Sequence, residues 1–304
     1  MDRSLPAGAG LPSPGAVLEL LKPITWFPPM WAFACGVVSS GAPAAGHWVT
    51  VCAGVLLAGP LVCAMSQAVN DWFDRDVDAL NEPHRPIPSG RIPGRWGLGI
   101  AVAWTCLSLV LAWALGPLVL AATVVGSALA WAYSAPPLRL KRNGWWGNAA
   151  VGLCYEGLAW ITGAAVLLPA GAWPPAEVFA LALLYSAGAH GIMTLNDFKS
   201  LEGDLRMGIG SLPARLGPHL AGRVACAVMA LAQVGAVLLL ASLGRPAAAA
   251  AVALLLLVQL GLMRRLLTDP RALAPWYNGT GVSLFVLGMM VSAWALRDLP
   301  RVAA

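Results

Sequence analysis

Residues 49–78 read VTVCAGVLLAGPLVCAMSQAVNDWFDRDVD. The first 22 of them carry no charge. As an α-helix rising about 1.5 Å per residue they suffice to cross a hydrocarbon core roughly 30 Å thick. The run then passes without a break into Asp71, Asp74, Asp76 and Asp78. Asp71, Asp74 and Asp78 are spaced i, i+3, i+7, which at about 100° per residue places all three on one helical face. Asp76 falls off that face and is expected to look toward water or a neighbouring arginine. An apolar helix that delivers three carboxylates to one side of its mouth is the feature the rest of the chain must explain.

The 304 residues are 59% hydrophobic and 11% charged, with a mean hydropathy of +0.72. An ordinary soluble domain is about 25% charged, so a water-soluble fold is excluded. Apolar runs at 24–41, 49–70, 97–115, 117–134, 147–168, 177–197, 220–242, 247–266 and 279–296 predict an all-α polytopic membrane protein with nine transmembrane helices around a central cavity. The net charge of +5 sits in loops rather than in a basic patch, which argues for membrane orientation and against nucleic acid. With a cytoplasmic N-terminus, 16 of the 19 Lys and Arg residues fall on one side, leaving Arg245, Arg297 and Arg301 on the other. The positive-inside rule therefore predicts cytoplasmic acid- and base-rich loops and an external C-terminus. The opening MDRSLPAGAGLPSPG lacks the zones of a secretory signal and is expected to begin a mobile tail over 1–21, with one transmembrane domain over 22–304. Six cysteines lie in apolar runs at spacings that suit no metal, and read as inert buried thiols.

A second acidic stretch echoes the first. Residues 66–90, SQAVNDWFDRDVDALNEPHRPIPSG, and 191–213, GIMTLNDFKSLEGDLRMGIGSLP, each pass from apolar helix to Asn-Asp, then to an acidic cluster with bases and a serine. The two spans are four apart, so both ends lie on one face of the membrane and can meet over one cavity. Asp197 and Asp204 are seven apart and share a face, whereas Glu202 points off it unless Gly203 breaks the helix. Crowded carboxylates repel, and exclusion of water strengthens the repulsion. Hard oxygen ligands without His or Cys suit Mg²⁺, which binds through one or two carboxylates together with substrate phosphates. A diphosphate between five aspartates would need both metal, two ions by our reading, and the nearby bases Arg85, Arg91, Lys141 and Lys199. Neither a P-loop nor a dinucleotide fingerprint is present.

The run Asn70 to Asp78 resembles the NDxxDxxxD signature of the UbiA superfamily of intramembrane prenyltransferases. NDWFDRDVDALNEPHRPIPSGRIPG, AYSAPPLRLKRNGWWGN and GIMTLNDFKSLEGD resemble the chlorophyll synthase branch, and the likeness runs from KPITWFPPMW near residue 22 to PWYNGTGV near residue 275. KPITWFPPMWAF and GWWG are most similar to members of that branch from phototrophic bacteria. The resemblance implies a nine-helix fold and Mg²⁺-dependent binding of a prenyl diphosphate. It also implies esterification of the ring-D propionate of bacteriochlorophyllide with a geranylgeranyl or phytyl group, with other pigment-biosynthesis or light-harvesting proteins as possible associates. The second motif of the superfamily is DxxxD; here Ser200 stands where its first acid falls, so Asp197 or Glu202 replaces it.

On this reading Asn70, Asp71, Asp74 and Asp78 hold one Mg²⁺, and Asn196, Asp197 and Asp204 the other. Arg85, Arg91, Lys141, Asn196 and Lys199 face the diphosphate. Trp72, Tyr133, Trp145 and Trp146 are candidates to line a flat acceptor, although interfacial tryptophan belts are common. Glu156 lies about mid-bilayer, where a carboxylate is a functional hypothesis; it faces the acceptor or bonds to Asn148 or Ser186. Chlorophyllide as acceptor, or prenylation of a quinone precursor or haem, are the rival reactions. A cation-coupled transporter or pigment carrier is the rival class, but transport predicts ionisable residues along a through-path, and here they gather at one face.

Overall fold

The computed structural model describes residues 10–169 and 171–298. Residues 1–9 of the expected tail, with Arg3, and Arg301 lie outside the described residues. Among those described, the chain is helical, joined by turns and one isolated bridge. In order the helices are α1 (Pro14–Leu21), α2 (Phe27–Ser39), α3 (Trp48–Leu56), α4 (Ala64–Asn81), α5 (Trp96–Leu115), α6 (Pro117–Ser134), α7 (Gly144–Gly152), α8 (Ala159–Ala165), α9 (Ala176–Asn196), α10 (Leu201–Met207), α11 (Leu212–Leu216), α12 (Pro218–Ser242), α13 (Pro246–Leu266), α14 (Pro270–Gly279) and α15 (Gly281–Leu296). Glycine and proline punctuate them. Gly116 and Gly217 turn the chain at positive φ, and Pro117 and Pro218 then occupy the first helical position, where a missing N–H loses nothing.

Helices occur at all nine expected positions, but among the described residues seven are long and apolar enough to cross a membrane by length and composition: Trp48–Asn81, Trp96–Leu115, Pro117–Ser134, Ala176–Met207, Pro218–Ser242, Pro246–Leu266 and Pro270–Leu296. The first expected span is the 13-residue α2, shortened by Pro28 and Pro29 at its start. The fifth, 144–165, is diluted by Asn148, Tyr155 and Glu156, as befits a helix buried within the bundle. Outer faces are apolar where they meet lipid: Leu231 and Leu238 on α12, Leu254 and Leu257 on α13, Val110 and Trp113 on α5 are all exposed. Cys52 and Cys106 are exposed as well, so the expectation of six buried thiols fails for these two. Their apolar surroundings are bilayer rather than protein.

Two segments are π-helical, Leu57–Cys63 between α3 and α4 and Leu153–Leu158 between α7 and α8. Pro60, which has no N–H to donate, sits in the first, and Glu156 in the second. The Cys63 thiol and the Gln67 amide both donate to the Tyr155 hydroxyl, at 3.3 and 3.1 Å, so the two wide turns face one another across the interior. Such turns in membrane helices commonly mark working sites.

The tail boundary differs from expectation. Pro14–Leu21 is helical, capped by the Ser13 side chain, which accepts from the Ala16 N–H at 3.3 Å, and Ala16, Leu20 and Leu21 are buried with Met65 and Ala68 of α4. One apolar stripe in an otherwise small-residue segment was enough to dock it.

Small residues allow the closest helix contact. A Cβ at Gly36 of α2 would stand 2.0 Å from the Trp160 carbonyl oxygen, and one at Gly163 of α8 would stand 2.0 Å from that of Phe33. Backbone thus meets backbone, as expected where lipid supplies no hydrophobic drive and close packing must. Gly163→Val should therefore lower the stability of the solubilised protein by about 1–3 kcal/mol, the usual cost of overpacking. An unchanged melting temperature would contradict the contact.

Candidate active site

The C-terminal half of α4 carries the first carboxylate rim, and the cations that meet it come from three separate loops. Asp71 and Asp78 are buried. Lys22 Nζ lies 2.6 Å from Asp71 Oδ1, and Arg85 Nη1 lies 2.9 Å from Asp78 Oδ2 and 3.5 Å from Asp71 Oδ1. Asp74 is bound by Lys141 and lies 3.6 Å from Arg139 Nη2, while the Asn70 amide donates to its other oxygen at 3.1 Å. Asp76 is solvent-facing with Arg75 at 4.0 Å, as its helical position predicts. Burial pulls the Lys141 ammonium below its ordinary pKa, and the Asp74 charge opposes that pull. The hydrogen bond from Arg85 holds the exposed end of the network, Glu82, below the usual carboxylate range.

The second rim begins where α9 ends. Asp197 opens a 3₁₀ turn (Asp197–Ser200) and accepts from the Asn148 amide at 3.0 Å; Asn148 also donates to the Thr194 hydroxyl at 3.3 Å. Ser200 donates to Asp204 at 3.1 Å, and Asp204 is buried. Glu202 instead pairs with Arg271 at 2.6 Å on the exposed surface. Because α10 continues unbroken through Gly203, Glu202 stays on the outer face, and Asp197 is the carboxylate that stands with Asp204. Asn196 accepts from Asn278 of α14 at 2.8 Å, and Lys199 is exposed beside Asp197.

The rims meet. The Tyr133 hydroxyl at the end of α6 lies within Coulombic reach of Asp74, Asp197 and Asp204, which belong to both clusters. Asn81 at the end of α4 comes within 4.0 Å of where a Cβ on Gly203 would be. The loops behind the two rims are stapled together: Gly144 donates to the Gly210 carbonyl at 2.8 Å and Gly210 to the Arg142 carbonyl at 3.0 Å, around a parallel bridge of Asn143 with Gly210. The loop that carries Arg139 and Lys141 to Asp74 is thereby fixed to the loop that follows Asp204.

Among the described residues no three His, Cys, Asp or Glu side chains converge into a metal cage. The donors nonetheless fit Mg²⁺. They are all oxygens, and Asp71 Oδ2 is buried without a hydrogen-bond partner. An ion that binds through one or two carboxylates plus phosphate needs no closed cage.

Several expected residues lie elsewhere. Arg91 binds Glu19 of α1 and the His84 carbonyl on the exposed rim, not the aspartates. Trp72 is buried with Ile87 and Ile100 and carries the Arg75 guanidinium over its ring at 4.5 Å, so it is a packing residue. Trp145 and Trp146 are 42% and 68% exposed, on the outside of the bundle. Glu156 is buried, and neither Asn148 nor Ser186 bonds to it.

Sequence reasoning passed over Lys22, Arg139 and Asn148 as site residues. One signal is conformational: Lys22 (φ 47°) and Arg139 (φ 39°) are the two non-glycine residues at positive φ among the described residues, and both pair with rim aspartates. A left-handed backbone without glycine is held at a cost and clusters at working sites.

Residues 25–287 match the sequence profile of the UbiA prenyltransferase family. The chain belongs to that family. This UbiA prenyltransferase is 60% identical over 289 residues to the bacteriochlorophyll synthase 33 kDa chain of Cereibacter sphaeroides, a match covering 95% of each chain. It is 38% identical to the chloroplastic chlorophyll synthase of Oryza sativa, over 91% of this chain and 76% of that one. A solved structure of a UbiA homologue from Archaeoglobus fulgidus bound to DMAPP and Mg²⁺ shares the fold, with a TM-score of 0.70 at 19% identity over 93% of this chain and 100% of that one. The protein is thus an integral membrane prenyltransferase.

Proposed function

We propose that the enzyme esterifies the ring-D propionate of bacteriochlorophyllide with a geranylgeranyl or phytyl group from the prenyl diphosphate, releasing diphosphate. The observation that carries the reading is the near full-length likeness to the Cereibacter sphaeroides bacteriochlorophyll synthase chain, which exceeds that to the plant chlorophyll synthase.

Asn70, Asp71, Asp74 and Asp78 on one rim, and Asn196, Asp197 and Asp204 on the other, would hold Mg²⁺, two ions in all. Bound there, the metal would neutralise charge on the leaving diphosphate. Arg85 and Lys141, with Lys22 and Arg139, lie on the same carboxylates and are placed to donate to phosphate oxygens once a diphosphate shares the site. Lys199 reaches the same mouth from the second rim, while Arg91 is left outside it. The acceptor propionate is already ionised near neutral pH, so the chain needs no general base to make the nucleophile. Its task is to help the leaving group depart and to keep water from an electron-poor allylic carbon, a task suited to the interior of a membrane bundle. Tyr133, between the rims, is placed to position the reacting ends. We place the rims on the cytoplasmic side of the inner membrane, following the loop charge.

The test is direct. Purified protein with Mg²⁺, geranylgeranyl diphosphate and either bacteriochlorophyllide or chlorophyllide should yield the ester by mass analysis, faster with the first acceptor. Chelation of divalent metal should stop turnover, and added Mg²⁺ should restore it. A carbon-linked product, or turnover in excess chelator, would overturn the assignment of reaction or of metal respectively.

A further inference from the structure

The stretch PWYNGTGV, residues 275–282, carries neither acid nor base, yet one of its side chains reaches the second rim. α14 ends at Gly279 and α15 begins at Gly281, and the buried Tyr277 ring fills the space in which a Cβ at 281 would stand. A side chain there would push the ring out. At its other end α14 is capped by Asp269, which accepts from the Ala272 N–H at 3.1 Å, and the Arg265 guanidinium lies 4.5 Å over the Trp276 ring. Held at both ends, α14 brings Asn278 to the end of α9.

There Asn278 Nδ2 donates to Asn196 Oδ1 at 2.8 Å. Asn196 directly precedes Asp197, so the bond fixes an amide at the second rim. With its oxygen taken, Asn196 has only the Met193 thioether, a weak acceptor 3.7 Å away, for its nitrogen. Asn278 Oδ1 is buried and accepts no hydrogen bond among the described residues. Turning both amides over would give that oxygen a partner but would put two N–H donors in its buried place. Two unmade donors cost more than one unmade acceptor, so the hydrogen-bond network selects the observed orientation.

The first rim has the opposite polarity. Asn70 Nδ2 donates to Asp74 Oδ2 at 3.1 Å and lies 3.4 Å from the Ser134 hydroxyl, while its oxygen takes no hydrogen bond among the described residues. The Asn-Asp step that opens both rims thus leaves a carbonyl oxygen, a hard metal donor, at Asn70. At Asn196 it leaves N–H groups, which can serve an anion but not a cation.

We propose that Asn278 is a positioning residue that holds the Asn196 N–H groups for the diphosphate, so that Asn196 is a diphosphate donor rather than a metal ligand, while Asn70 keeps the metal role. This rests on the two-rim site proposed above and chooses between the two roles that the sequence leaves to Asn196.

The experiment is a double-mutant cycle on the purified full-length protein, read by calorimetric binding of inorganic pyrophosphate with Mg²⁺. Asn196→Ala should weaken that binding about tenfold, the loss of one hydrogen bond to a charged group. The Mn²⁺ midpoint at saturating pyrophosphate, read by paramagnetic resonance, should stay within about twofold in this variant, whereas Asn70→Ala should raise it. Asn278→Leu should match Asn196→Ala, raise the KM for geranylgeranyl diphosphate more than it lowers kcat, and add nothing in the Asn196→Ala background. Where Asn278→Leu does not fold, Asn278→Asp keeps the shape but can only accept, and its effect should likewise shrink when combined with Asn196→Ala. Losses that multiply in the double variant overturn the proposal, as does a raised Mn²⁺ midpoint in Asn196→Ala. A lower melting temperature for Asn278→Leu with KM unchanged, the result expected of a mere packing contact, overturns it too. Wild type separates the two readings: if it binds pyrophosphate only through metal and the variants fail the cycle, the roles of Asn278 and Asn196 alone fall, whereas wild type indifferent to metal overturns the two-rim site itself.

Discussion

Asp74→Asn should reduce kcat by about 10²–10³ while leaving the protein inserted, monodisperse and folded, the loss expected when one preorganised electrostatic group is removed from a site of charge development. Asp74 is the centre of the first rim: it holds Lys141 and faces Arg139, takes the Asn70 amide, and lies in Coulombic reach of Tyr133 together with both second-rim aspartates. The amide keeps the shape but removes the charge. Burial pulls the Lys141 ammonium down, and the substitution removes the Asp74 carboxylate that opposes the pull and pairs with it. The Mg²⁺ concentration for half-maximal activity should rise. Steady-state kinetics across a Mg²⁺ series provide the check; wild-type turnover would remove Asp74 from the metal and diphosphate site.

The second large effect separates two acids five residues apart. Asp197→Asn should lower kcat by about a hundredfold or more, whereas Glu202→Gln should stay within about twofold of wild type, because an exposed ion pair such as Glu202–Arg271 contributes about 0–1 kcal/mol. The basis is orientation alone. Asp197 accepts from Asn148 on the inner side, and Glu202 is held outward by Arg271. Asn148→Leu should reproduce part of the Asp197→Asn loss, since it removes the donor that orients the carboxylate without touching its charge. The reverse ranking of the two acids would show that the substitute for the acid missing at Ser200 had been misassigned.

The local periodicities in the sequence were enough for much of this. The apolar runs placed the helices, and the i, i+3, i+7 spacing put Asp71, Asp74 and Asp78 on one side with Asp76 turned to water. The same construction kept Glu202 off the face of Asp197 and Asp204. The number of full crossings was less legible, because two of the nine runs compensate a short or polar stretch by being buried in protein, which hydropathy does not see. The helix at 14–21 is not legible in the sequence, because Ala16, Leu20 and Leu21 make an apolar stripe too short to stand out until α4 is there to receive it.

What the sequence determined by itself is the membrane fold, the two carboxylate rims and the oxygen-only donor set, since each depends on residue type and on a repeat of a few residues along one helix. Tertiary structure alone decided which cations serve those rims. Lys22 and Arg139 reach them from left-handed backbone positions, Arg91 is diverted to Glu19, and Lys141 is held in place by a loop tied to Gly210. Long charged side chains go where their loops are anchored, and those anchors join residues far apart in the chain, through contacts that no local period encodes.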